Sequence, residues 1–171
     1  MPWAFGVTMN GHKGLAFTTV TTAASPTAVL HLVVGYDGSP PARRALDAAA
    51  LLLHGRTGRI DVVYVAHVPG AAVEPPVATV GMEPGLDQIE QELRAQAAEH
   101  LRDCGAAWGF ERRQGNTAHE LIAVATGIRD ANPDGFAVIV VGSSSSAIHR
   151  VAGSVAVGLG RHPPVPVLIV P

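Results

Sequence analysis

The sequence has little cysteine, little charge and no long apolar run, and each shortage excludes a class of protein. One cysteine among 171 residues cannot form an internal disulfide, so nothing indicates an oxidising compartment and we expect a cytoplasmic protein. Only 15% of the residues are charged, the net charge is -2, and the eleven arginines are scattered, which argues against a nucleic-acid partner. No run approaches the roughly 18 apolar residues of a membrane span, so no membrane partner is expected.

The composition favours one globular domain preceded by an extension. Hydrophobic residues make up 47% of the chain, enough to bury a core. The first 28 residues contain no acidic residue and a Thr/Ala-rich tract, LAFTTVTTAASPTA, whose threonines interrupt any continuous signal-peptide core. We expect a disordered or loosely packed N-terminal extension over residues 1–28 and a single domain over residues 29–171.

After residue 28, five short apolar segments alternate with four helical ones. Strands are predicted at 29–36, 60–68, 110–114, 136–141 and 165–170. Helices are predicted at about 42–55, 86–104, from 117 onward, and 152–161. This alternation predicts an α/β fold with a five-stranded parallel sheet. Because the first and fourth strands are the most apolar and the third, FERRQ, is the most polar, the predicted order is 3-2-1-4-5.

In such a sheet, ligands bind at the carboxyl ends of the strands where the strand order reverses, here between strands one and four. The loops that start there contain Asp37, in DGSPP, and Gly142, in GSSSS. Small residues can hold phosphate through backbone N–H groups and serine hydroxyls, although Gly/Ser tracts are also common flexible linkers. Asp37 can accept hydrogen bonds from ribose hydroxyls or help hold Mg²⁺, or it can serve only as a capping residue of a turn.

Several catalytic motifs are missing from the sequence. A P-loop needs a lysine, and the only one, Lys13, precedes the domain. No Gly-x-Ser-x-Gly elbow occurs, and the eight histidines show no metal-binding spacing, so we expect no metal cluster. These absences favour binding without evident catalysis, and no residue can be named as a base for ATP hydrolysis.

Four segments together resemble the universal stress protein family in its single-domain form. They are VVGYDGSPPARRAL, IDVVYVAHV, FERRQGNTAHELIAVA, and the terminal VVGSSSS with GSVAVGLGRHPPVPVLIVP. The resemblance covers residues 29–171. It implies a flavodoxin-like, Rossmann-like three-layer fold, a homodimer and, in one branch of the family, ATP binding.

The resemblance also implies a set of site residues. In the ATP-binding branch, two glycines separated by two residues are followed, nine residues later, by Gly-Ser or Gly-Thr. Here Ser145 stands at the second glycine, and only seven residues separate it from Gly153. Carried over position by position, Asp37 lies near the ribose and phosphates, and Val65 packs on adenine. The complete predicted set is Gly35, Tyr36, Asp37, Val65, Val141, Gly142, Ser144, Ser145, Gly153, Ser154 and Val155.

The leading hypothesis is a stress-response protein that binds ATP, with Mg²⁺ as an accompanying ion, as a regulatory ligand. A second hypothesis is a dimeric interaction or scaffold member of the same family that no longer binds nucleotide. A third is a small-molecule enzyme that uses the Pro/Gly-rich loop at 69–85 as a lid. A homodimer is expected through the last strand, since VPVLIV would be an exposed apolar edge in a monomer.

Overall fold

The computed structural model describes residues 29–66, 83–143, 154–159 and 164–171. Their strands are β1 (Leu30–Gly35), β2 (Gly58–Ala66), β3 (Ala107–Gln114), β4 (Phe136–Gly142) and β5 (Val167–Val170). Their helices are α1 (Pro40–Leu53), α2 (Glu83–His100), α3 (Thr117–Ala131) and α4 (Ser154–Leu159). The predicted extension over 1–28, most of the predicted lid loop and the serine run from Ser144 lie outside the described residues.

The five strands form one parallel sheet of order β3-β2-β1-β4-β5. In the register of the central strand, Leu30 aligns with Gly58 of β2 and with Phe136 of β4. The predicted fold class and strand order are therefore confirmed, with the reversal of order between β1 and β4.

The apolar side chains form two clusters, one on each face of the sheet. Leu32 and Val34 of β1 pack toward α1 and α2, whereas Val33 packs toward α3 and α4, as the alternation of side chains along a strand requires. The helices bury the following residues in these clusters: Ala42, Ala45, Leu46, Ala49, Leu53, Leu93, Ala97, Ala118, Leu121, Val124, Ala125 and Leu159. This arrangement of helices, sheet and helices is the predicted three-layer fold.

Several element boundaries differ by up to four residues from the predicted ones, among them the start of β3 and the end of α2. β3 begins at Ala107 rather than Phe110. Its Gly109 leaves room for the Arg59 side chain of β2, because a Cβ at position 109 would collide with the Arg59 guanidinium. α2 ends at His100, so Cys104 lies in the connection to β3 and not on a helix. Local hydrophobic pattern did not reveal either boundary.

The starts of α1 and α3 are fixed by local capping. Ser39 Oγ accepts a hydrogen bond from Ala42 N at 3.3 Å, and prolines occupy the first two positions of α1. Asn116 Oδ1 accepts from His119 N at 3.1 Å and caps α3. Both helices follow their strands within a few residues, so their N-termini lie at the carboxyl edge of the sheet.

Candidate functional site

A cleft of about 190 Å³ lies at the carboxyl ends of β1, β2 and β4, where the strand order reverses. Apolar side chains from both sides of the sheet and a few polar groups line it. The lining residues are Gly35, Tyr36, Asp37, Ser39, Ala42, Val63, Val65, Thr117, Leu121, Val141, Gly142 and Val155. A cleft of this composition at the switch point is the usual position of a ligand site in this kind of fold.

The cleft brings together seven of the eleven residues predicted for the site. These are Gly35, Tyr36, Asp37, Val65, Val141, Gly142 and Val155. Ser144, Ser145 and Gly153 lie outside the described residues, and Ser154 is the first residue of α4. Binding of a ligand by the predicted set remains a prediction.

Asp37 is exposed at the edge of the cleft, and one of its two oxygens has the turn-capping role considered for it. Its Oδ1 accepts a hydrogen bond from Ser39 N at 3.0 Å, which is the turn-capping contact. No described residue forms a hydrogen bond or an ion pair with Asp37 Oδ2. One carboxylate oxygen thus orders the β1–α1 turn, and the other has no protein partner among the described residues.

Two glycines of the site allow close packing of the elements around the cleft. A Cβ at Gly35 would lie 3.0 Å from Leu121 Cδ1 and 3.3 Å from Val141 Cγ1. A Cβ at Gly142 would lie 2.7 Å from Pro41 Cβ and closer still to the Pro41 carbonyl oxygen. Gly142 therefore has a structural function at the contact between β4 and α1, in addition to any contact with a ligand.

Tyr36 lines the cleft, but its ring belongs to the core between the sheet and α1. The residue is 2% exposed, and its buried hydroxyl lies near the Arg43 side chain without a hydrogen bond of ordinary geometry to any described residue. Burial raises the pKa of Tyr36 above its ordinary value, although the positive charge of Arg43 acts in the opposite direction. The hydroxyl therefore stays protonated at neutral pH.

Five lining residues were missed in the sequence: Ser39, Ala42, Val63, Thr117 and Leu121. Val63 had a detectable signal, because it lies two positions before Val65 and so shares its face of β2. Thr117 and Leu121 are one helical turn apart on α3. They reach the cleft because α3 crosses back over the sheet from the edge strand β3 to β4, so their position follows from topology.

Among the described residues, no group of three or more His, Cys, Asp or Glu side chains is placed to hold a metal ion. No helix among the described ranges has both the length and the apolar character needed to cross a bilayer.

The fold is similar to that of solved universal stress proteins. One from Burkholderia pseudomallei is 26% identical, with a TM-score of 0.56 over 82% of this chain and 95% of that one. A universal stress protein in complex with cAMP is 22% identical, with a TM-score of 0.60 over 85% and 99% of the two chains. A family protein from Arabidopsis thaliana with AMP bound is 14% identical, with a TM-score of 0.52 over 82% and 90%.

The family assignment has a second, independent basis in the sequence. No curated protein matches the chain. A model of the universal stress protein family, however, matches residues 29–171, which include every strand and helix described above. On this match and the shared fold, the chain belongs to the universal stress protein family.

Proposed function

We propose that this protein binds an adenine nucleotide, ATP in particular, in the cleft between β1 and β4, as a regulatory ligand in a stress response. The proposal rests mainly on the cleft itself, which lies where the strand order reverses. Its lining is apolar except for a few polar groups, among them the exposed carboxylate of Asp37. The relatives crystallised with cAMP and with AMP support it, since both ligands contain an adenine nucleotide.

The lining residues fit the parts of such a ligand. Val65 and Val155, which are both partly exposed, offer aliphatic surface on which a flat base can pack. Asp37 Oδ2 can accept hydrogen bonds from ribose hydroxyls, which are the donors that a carboxylate prefers. The triphosphate is assigned to the Gly142 end of the site, where the chain continues into the serine run, and Mg²⁺ would accompany it.

Regulatory binding is proposed in preference to turnover. Among the described lining residues there is no lysine, arginine or histidine to stabilise charge on a transferring phosphoryl group. The proposed compartment is the cytoplasm, in agreement with the single cysteine of the chain.

The first test is thermal unfolding of nucleotide-free protein with and without ATP and Mg²⁺. A ligand that binds only the native state, present at 100 times its Kd, adds about 2.7 kcal/mol of stability. In a domain of this size we expect the melting temperature to rise by roughly 5–10 °C. Mg²⁺ alone is the control, and an unchanged melting temperature with millimolar ATP would contradict the proposal.

The alternative, a dimeric interaction module, rests on the edge strand β5. Within the described chain β5 pairs only with β4, and the side chain of Ile169 is 41% exposed. Arg44 holds this edge in place, because its Nε donates to the Pro171 carbonyl oxygen at 2.7 Å. An ordered, apolar and unpaired edge favours pairing with a second copy.

We expect light scattering to give twice the monomer mass of 17.6 kDa, because pairing satisfies the free edge of β5. Replacement of Ile169 by lysine puts charge on that edge and should shift the population toward monomer. A monomeric wild-type protein at micromolar concentration would refute the dimer. A dimer that gives no thermal shift with ATP would favour the scaffold function.

A further inference from the structure

We infer that Thr117 is a specificity-determining residue whose hydroxyl hydrogen-bonds the 6-amino edge of the adenine base. This inference rests on the proposed nucleotide function of the cleft and adds a residue that recognises the adenine base. Thr117 is the first residue of α3, is half-buried and lines the cleft.

The polar side chains of the cleft differ in the hydrogen bonds that they already form within the protein. Ser39 Oγ accepts from Ala42 N, and Asp37 Oδ1 accepts from Ser39 N. The Tyr36 hydroxyl is buried in the core, next to the charges of α1. By contrast, the hydroxyl of Thr117 forms no hydrogen bond with any described residue.

Thr117 is not needed to start its helix. Asn116 is the N-cap of α3, and its side chain and carbonyl oxygen accept from His119 N and Glu120 N. Threonine is not a favoured helix former, so nothing in the local structure calls for a hydroxyl at the first helical position. The hydroxyl of Thr117 therefore has no role in capping the helix, whereas the residue does line the cleft.

Thr117 shares the cleft with Val65, the residue assigned to the base. Gly115 N donates to the Ala66 carbonyl oxygen at 3.2 Å, which ties the end of β2 to the turn before α3. Thr117 follows Gly115 by two residues and Val65 directly precedes Ala66, so this contact joins the two chain segments that carry them. Thr117, Val65 and Leu121 all line the same cleft.

The two sides of the cleft then have different chemistry. Asp37 lies at the α1 side, where a carboxylate suits sugar hydroxyls and disfavours phosphate. A hydroxyl at the α3 side can accept a hydrogen bond from the 6-amino group of adenine. In an apolar surrounding, a polar base edge without such a partner would lose its hydrogen bonds to water on binding.

The test compares ATP with purine riboside triphosphate, which lacks the 6-amino group, on wild-type protein and on Thr117→Val. Valine keeps the shape of threonine without the hydroxyl. We expect the Kd for ATP to rise about tenfold in Thr117→Val, as the loss of one hydrogen bond predicts. The Kd for purine riboside triphosphate should change less than about twofold, and Thr117→Ser should retain binding of ATP.

Thr126→Val is the matched control, because Thr126 lies on the same helix, has an unpartnered buried hydroxyl and is not a lining residue. We expect it to bind ATP as the wild-type protein does. If Thr117→Val loses the same affinity for both nucleotides, or loses none, the inference about Thr117 is wrong and the proposed function is not affected. Failure of the wild-type protein to bind either nucleotide would overturn the proposed function and this inference with it. Melting temperatures of both valine variants check the fold.

Discussion

Replacement of Gly142 by alanine is expected to destabilise the protein by about 2–3 kcal/mol, the upper part of the usual range for overpacking. The added Cβ would meet the Pro41 carbonyl carbon and oxygen and, at 2.7 Å, Pro41 Cβ. Backbone atoms cannot rotate away from such a contact as the end of a long side chain can. The strand end and the first turn of α1 must therefore separate, and the cleft between them changes shape.

Gly127→Ala is the matched control for this substitution. Gly127 lies inside α3, and a Cβ at this position meets no atom within 4 Å. Alanine is the better helix former, so we expect this variant to be more stable by about 0.5–1 kcal/mol. Urea unfolding of the two variants measures the difference. Equal stability of Gly142→Ala and the wild-type protein would show that β4 and α1 do not pack as closely as described.

The predictable part of this fold is the part encoded in short stretches of sequence. β1 and β4 are the most apolar strands, which predicts a central position, and the polar FERRQ segment predicts an edge strand. The strand order confirms both predictions. The start of α1 was also predictable from the sequence, because Ser39 and Pro40 stabilise it through contacts with the next few residues.

The remaining features depend on contacts between distant elements. Thr117 enters the cleft because α3 crosses the sheet, and no local pattern contains that information. Gly142 was assigned to phosphate binding, whereas the structure gives it a packing contact with Pro41 as well. Asp37 was considered either a turn residue or a ligand residue, and its two oxygens allow both roles at once.

Replacement of Asp37 by alanine is expected to remove about half or more of the thermal shift with ATP. Hydrogen bonds to charged groups contribute about 1.5–3 kcal/mol each, so the loss of the carboxylate should raise the Kd by roughly 10- to 100-fold. Alanine also removes the acceptor for Ser39 N, and some loss of stability without ligand is expected from the weakened turn.

Asp37→Asn separates the two effects, because an amide oxygen can still accept the hydrogen bond from Ser39 N. We expect the asparagine variant to keep the melting temperature of the ligand-free protein and to lose most of its affinity for ATP. Calorimetric titration measures the affinity, and Asp134→Asn, at an exposed carboxylate outside the cleft, is the control. If Asp37→Asn binds ATP as tightly as the wild-type protein, the carboxylate acts only in the turn, and the ribose must be held by other groups.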